Sequence, residues 1–270
     1  MQVNIANHDY SIIWNGVYYF ALSDYPNITP WELKKLLMFM EFEQLHGRQT
    51  DIKCDDPGIM LAINNAIAHP ETVADAVLPA KITECTACKQ KGCLTRFVAH
   101  IAPIENAKQI LKSGKLLSAV TVFNKTPSEL VLDERNTIGD PADFFEYVMF
   151  AWGNCQAGDR LVMERNLCRP PSDEEQEKHF TPGVRFYFRH EDIICHPNYV
   201  FDGYHPAKVK NELVLTDYLF ACIVPEHHKG ELETCISQEL AGKVYYLPQD
   251  NLGIWDWSER VYDFVVALEA

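Results

Sequence analysis

Long apolar runs are missing from this sequence. Nothing in it approaches the roughly 20 consecutive apolar residues that span a bilayer, and the opening MQVNIANHDYS has no basic flank leading into an apolar segment. A cytosolic protein is expected. Positive charge is scarce as well: 24 Lys and Arg stand against 38 Asp and Glu, a formal net charge of −14. That balance works against nonspecific attraction to phosphate backbones or anionic membrane surfaces. Four common motifs are also absent: G-x-G-x-x-G, G-x-x-x-x-G-K-[ST], G-x-S-x-G and H-E-x-x-H. Their absence removes the signals for a Rossmann cofactor fold, a P-loop, a hydrolase nucleophile elbow and a zinc-protease helix.

What the sequence does have is apolar mass. A chain of 270 residues with 47% hydrophobic content buries a full core. It also has nine cysteines, an odd number. Cys85, Cys88 and Cys93 form C-x2-C-x4-C within a polar, Lys-containing stretch, and Cys54 upstream is the natural fourth ligand. Thiolates two residues apart grip one tetrahedral ion because a tight turn points both sulfurs inward. Zinc is the first expectation, and four sulfur ligands make the site structural and not catalytic. An iron–sulfur cluster takes four cysteines at comparable spacings and stays open. His46, His69 and His100 are substitutes for Cys54.

Periodicity and punctuation give an α+β chain. Asn15-Gly16 between two β-rich runs predicts a type I′ hairpin. Thr29, Pro30 and Glu32 open a helix with a capping box, and His46-Gly47 closes it. PGIMLAINNAIAHP and ETVADAVLP read as two short helices. LTRFVAH reads as a strand ending on His100, followed by a helix over 104–112 and Gly114 as a left-handed stop. Further on, TVF is strand-like, PSELVLDE a short helix, and FFEYVMFAW a buried strand with Tyr147 near its middle. CRPPSDEEQEKHFTPG reads as an exposed loop, VRFYFR as a strand alternating apolar and polar, and ELVLT, FACIVP and KVYYLP as strands. HHKGELETCISQELAG is expected to be helical, and WDWSERVYDFVVALEA to be a closing amphipathic helix. The expected organisation is a hairpin-and-helix region with the cysteine site over 1–93 and a mostly antiparallel sheet domain over 94–270.

Two residues stand where chemistry is possible. His100 ends a core strand and is followed at once by a turn and a helix, a position that faces a ligand. Glu212 opens an apolar strand after the polar DGYHPAKVKN loop, which puts a carboxylate at the lip of a cleft beside a sheet edge. Taken singly, each has a plainer explanation. His100 reads equally as a satisfied core histidine, Glu212 as a solvated strand end, Tyr147 as a core aromatic and Arg135 as a surface ion-pair partner.

Taken in order, these features resemble the ADP-ribosyltransferase superfamily, and within it the DNA-modifying toxins of the DarT type, over roughly residues 94–226. The matching residues are His100, Asn106, Ile110, Leu111, Gly114, Leu117 and Ser118, then Arg135, then Tyr147, Val148 and Phe150, and finally Glu212. Ala102 stands where Thr is usual after the His, and Met149 where Pro is usual. Lys210 and Asn211 precede Glu212 in place of the Glu-x-Glu or Gln-x-Glu of arginine-modifying relatives, which leaves the acceptor open. The resemblance implies a sheet domain of ADP-ribosyltransferase type. It also implies cleavage of the nicotinamide–ribose bond of NAD, with transfer of ADP-ribose to a macromolecule, protein or nucleic acid. In that reading Glu212 supports the oxocarbenium-like transition state and bonds the ribose 2′-hydroxyl, as carboxylates do in glycoside hydrolysis. His100 orients the ribose through a ring N–H, Tyr147 packs on nicotinamide, Ser118 joins the NAD-binding set, and Arg135 holds the diphosphate or assists at the acceptor. The rival expectation is a zinc-stabilised binding or regulatory protein without chemistry.

Overall fold

The computed structural model describes residues 1–8, 11–14, 16–77, 96–133, 140–167, 169 and 171–269. The chain divides into two compact units: Met1–Ile82 with Thr126–Phe144 and Phe201–His205, and Thr83–Lys125 with Phe145–Val200 and Pro206–Ala270. The expected division at residue 93 is therefore replaced by a threaded one, in which two later segments join the N-terminal unit. No shift in local composition marks those segments.

In the first unit, β1 (Gln2–Ala6), β2 (Ile12–Trp14), β3 (Val17–Ala21) and β4 (Asp51–Cys54) form a sheet in the order β2-β3-β1-β4. The hairpin forms as expected, with Trp14 opposite Val17 and Gly16 at φ +74, the left-handed backbone that its two-residue turn requires. The parallel pairing of β1 with both β3 and β4 was not expected. QVNIA and DIKC are too short to declare themselves, and their partners lie far off in sequence. Alternation places Val3, Ile5, Tyr18 and Phe20 among the buried residues, and the helix Pro30–Leu45 adds Leu36 and Phe39. The Tyr18 ring sits 4.8 Å from Phe39 and 5.3 Å from Phe20. The capping box is present: Thr29 accepts from the Glu32 N–H, and the Glu32 carboxylate accepts from the N–H groups of Thr29 and Ser23 at 2.8 and 2.7 Å. PGIMLAINNAIAHP contains the helix Pro57–Ala68, capped by Asp56, whereas ETVADAVLP yields only a 3-10 turn at Pro70–Val73. Gly203 shows why the segment Phe201–His205 belongs here. At φ +75 its backbone lies so close to the Pro30–Leu45 helix that a Cβ would fall 2.4 Å from the Lys35 carbonyl oxygen.

In the second unit the strands are β5 (Phe97–Ala102), β6 (Lys115–Leu117), β7 (Tyr147–Trp152), β8 (Val184–Arg189), β9 (Tyr199–Val200), β10 (Ala207–Lys210), β11 (Glu212–Val214), β12 (Leu219–Pro225) and β13 (Val244–Leu247). Seven of them form one sheet in the order β13-β12-β8-β5-β7-β10-β9, antiparallel at every pairing except β12 with β13, while β6 and β11 form a separate antiparallel ribbon. This mixed, mostly antiparallel arrangement is the expected α+β class.

Both faces of the seven-stranded sheet are covered. On one, Val98, Ala102, Val148, Phe150, Phe186 and Phe188 cluster with Ala107 and Leu111 of the helix Ile104–Ser113 and with Leu116 and Leu213 of the ribbon. On the other, Phe97, Ala99, Tyr187, Ala221 and Ile223 meet Met163 of the helix Ala157–Leu167 and Trp257, Val261 and Val265 of the helix Ile254–Ala267. With this second covering the apolar and polar positions of VRFYFR are buried alike, from Val184 to Phe188.

Arg185 lies in the middle of that strand, fully buried. Its guanidinium donates to Asp159, also fully buried, to the Tyr187 hydroxyl at 3.2 Å and to Ser258. The other Asp159 oxygen accepts from the Gly183 N–H at 2.9 Å, and the Tyr187 hydroxyl donates to the Gly153 carbonyl at 3.0 Å. Burial alone would pull the Arg185 pKa down, but the neighbouring Asp159 and Tyr187 outweigh it and hold the pKa above its ordinary value. The network thus fastens the helices Ala157–Leu167 and Ile254–Ala267 to the sheet through satisfied polar groups.

Three further expectations change. TVF belongs to a short helix, Ala119–Phe123, and the acidic stretch after Pro171 forms the helix Asp173–Lys178 with Ser172 as its N-cap. HHKGELETCISQELAG is broken into single turns, among them Lys229–Leu232 and the 3-10 turn Glu233–Cys235. The closing helix is as expected, with Ile254, Trp257, Ser258, Val261, Tyr262 and Val265 on its buried face.

Replacing Arg185 by Met strands a buried carboxylate and is expected to cost about 3–5 kcal/mol of unfolding free energy in urea, whereas Arg185→Met with Asp159→Leu recovers much of the loss. A single variant as stable as wild type would contradict the buried network.

Candidate functional site

The seven-stranded sheet is forked. β5 pairs with β7 through only Val98 with Trp152 and Ala99 with Ala151. Beyond Ala99, β5 continues against β8 as far as Ala102, while the start of β7, from Tyr147 to Phe150, pairs with β10. The two prongs part at His100. Its ring crosses the gap: Nδ1 lies 3.1 Å from the Met149 carbonyl oxygen, and the ring stands edge-on to Phe150 at 6.4 Å. A carbonyl only accepts, so Nδ1 carries the proton.

Glu212 is placed by a second feature of the chain. β10 ends at Lys210, opposite Tyr147, and β11 begins at Glu212. The single residue between them, Asn211, sits at φ +68, the left-handed region that Asn tolerates better than most side chains. Its N–H donates to the Glu146 carbonyl at 3.0 Å and its carbonyl accepts from the Ser118 N–H at 2.7 Å. The chain therefore leaves the sheet in one residue and enters the ribbon. A bond from the Leu215 N–H to the Gly114 carbonyl at 2.8 Å closes the ribbon's other end. Gly114 itself is the left-handed stop of the helix Ile104–Ser113, at φ +69.

His100 and Glu212 lie on the same side of the seven-stranded sheet. Val98 and Ala102, which flank His100 on its face of β5, cluster with Leu116 and Leu213 of the ribbon that carries Glu212. Within the ribbon Glu212 alternates with buried Leu213, so its carboxylate is on the more open face, with Lys115, Leu117 and Val214. Lys115 Nζ donates to both carboxylate oxygens, at 2.9 and 3.1 Å.

The other expected site residues fall differently. Ser118 adjoins Glu212, but it is 1% exposed and its hydroxyl is 3.0 Å from that of Thr121, so it serves the framework more than the open cleft. Tyr147 opens β7 and does not sit near the middle of a strand. Val148 and Phe150 belong to the cluster beside His100, so Tyr147 takes the opposite face, where the fully buried Lys208 ammonium lies 5.3 Å from its ring centroid. Tyr147 is thus not brought to the His100 face. Arg135, Cys85, Cys88 and Cys93 lie outside the described residues. Cys54 ends β4, half-buried, with Sγ 3.8 Å from the Asp56 carbonyl oxygen. Among the described residues no group of three His, Cys, Asp or Glu side chains is placed to hold a metal ion, and no helix is long and apolar enough to cross a membrane.

Lys115 and Asn211 were not foreseen as site residues. The signal for Lys115 was its place just past the Gly114 stop, but its partner follows only from the β6–β11 register. Asn211→Val forces a β-branched side chain into the left-handed region and is expected to cost about 1–3 kcal/mol in urea unfolding, with Asn211→Gly close to neutral; equal stability of the two variants would contradict the kink. No protein-family model, no curated protein and no solved structure matches this chain.

Proposed function

We propose that the chain is an NAD-dependent ADP-ribosyltransferase whose second unit is of the ADP-ribosyltransferase type, with Glu212 and His100 as its central residues. The observation that carries this reading is the fork between β5 and β7, which has an imidazole across its opening and a kinked strand delivering a carboxylate on the same side. Splayed strand ends leave an opening in an otherwise covered sheet, and such openings are where ligands bind.

The proposed reaction breaks the bond between ribose C1′ and the nicotinamide nitrogen. The bonding pair leaves with nicotinamide, whose positive ring becomes neutral, and cationic character develops on the ribose. Glu212 stabilises that charge and accepts a hydrogen bond from the ribose 2′-hydroxyl. His100 orients the ribose and holds it in place. A nucleophile of the macromolecular acceptor, protein or nucleic acid, then bonds to C1′ and gives its proton to Glu212 or water. Arg135 remains the proposed contact for the diphosphate or the acceptor, and Ser118 a support for the ribbon.

We also propose that Cys54, Cys85, Cys88 and Cys93 hold a structural zinc, or in its place an iron–sulfur cluster. The sulfur donors suit either, and Cys54 stands half-buried at a strand end, its Sγ in long contact with the Asp56 carbonyl. A reducing cytoplasm is the compartment that fits these thiols.

With purified protein and labelled NAD, nicotinamide release is expected, and Glu212→Gln should lower kcat by about 10²–10³-fold with little change in KM. Absence of release, together with no thermal protection by NAD, would favour the non-catalytic binding protein. Metal analysis of protein purified without chelator should find about one zinc per chain, or iron in its place, falling when Cys85 and Cys88 are changed to Ser, and a content under about half an equivalent of zinc or iron would refute the cysteine site.

A further inference from the structure

Glu212 holds a contact at odds with its proposed task. Lys115 Nζ lies 2.9 and 3.1 Å from its two oxygens. The pair is diagonal on the ribbon: Lys115 is registered with Val214 and Glu212 with Leu117. All four share the ribbon face that turns away from the buried Leu116 and Leu213. A carboxylate that stabilises a developing ribosyl cation must offer it negative charge. With an ammonium seated on both its oxygens it offers mainly a dipole, and the ammonium repels the same cation. The docked lysine therefore opposes the chemistry, and the geometry must change before turnover.

The contact is well suited to such a change. Both side chains are substantially exposed, 41% for Lys115 and 44% for Glu212, so the pair is solvent-screened and weakly held. Lysine is a compact charge on a flexible four-carbon stem that can change partner without moving the backbone. That backbone is itself pinned at both ends of the ribbon by the Ser118–Asn211 and Leu215–Gly114 bonds. NAD brings its own competitor in the diphosphate, whose two negative charges outbid one half-exposed carboxylate for the same ammonium.

We propose that Lys115 is a specificity-determining latch: it caps Glu212 in the ligand-free protein and transfers to the diphosphate of the incoming dinucleotide, which uncovers the carboxylate only when a diphosphate-bearing substrate is bound. This inference rests on the transferase reading above. No covalent step is involved. The exchange breaks the Lys115–Glu212 contact and forms a lysine–phosphate one.

The test compares NAD with nicotinamide riboside, which has the same scissile bond and no diphosphate. Nicotinamide release from both is measured for wild type, Lys115→Met and Lys115→Arg, with circular dichroism and Tm confirming that each variant is folded. For Lys115→Met the expected result is a KM for NAD raised at least about tenfold with kcat little changed, and a kcat/KM for the riboside that does not fall. Lys115→Arg should keep most of the preference for NAD. Parallel losses on both substrates, a loss confined to kcat, or an unchanged KM for NAD would overturn the latch while leaving the transferase reading intact. Wild-type protein that releases no nicotinamide from NAD overturns the transferase reading and this inference with it. Should Lys115→Met fail to fold, Lys115→Gln is read by the same criteria.

Discussion

The second unit depends on a ladder that stops early. Two residue pairs hold β5 to β7, and past them each strand follows a different neighbour, β8 on one prong and β10 on the other. A sheet whose central strands are buried on both faces would ordinarily have no room for a ligand. In the proposed function the early stop supplies that room, and the His100 ring marks the point where backbone pairing is replaced by a side-chain bond to the Met149 carbonyl. The left-handed Asn211 is the counterpart on the far prong, because it turns the chain out of the sheet and into the ribbon that carries Glu212. The backbone of that ribbon is pinned at both ends by the Ser118–Asn211 and Leu215–Gly114 bonds.

Rigidity has to come from somewhere if the sheet is forked, and here it comes from burial on both sides. One face carries the helix Ile104–Ser113 and the ribbon, and the other carries two helices fixed by the Arg185–Asp159 pair. An ion pair at full burial is costly to form, and it is stable here because nearby donors and acceptors satisfy its atoms, including the Gly183 N–H and the Tyr187 and Ser258 hydroxyls. It lies on the opposite face from His100, so it fixes the platform and takes no part in the proposed chemistry.

The parts of this fold that were legible in the sequence are those specified locally. The hairpin at Gly16, the capping box at Thr29 and Glu32, the helix ending at Gly114 and the closing amphipathic helix each have their determinants within a few residues of one another. The parts that were not legible depend on distant partners. β1 and β4 are too short to show a period and exist through parallel pairing. The burial of Arg185 was not legible because its carboxylate partner lies in a helix with no sequence link to it. Likewise His100 and Glu212 could be singled out, but Lys115 emerged only once the ribbon register was known, and the face taken by Tyr147 only once Val148 and Phe150 were seen in the cluster beside His100.

The central claim is that His100 and Glu212 grip one ribose. It is tested most directly by a crystal structure with a non-cleavable carbocyclic NAD analogue. The account predicts hydroxyls of the nicotinamide-side sugar ring within about 2.6–3.2 Å of both a His100 ring nitrogen and a Glu212 carboxylate oxygen, at the mouth of the fork. An analogue bound elsewhere, or bound at the fork with either residue turned away from that ring, would contradict it.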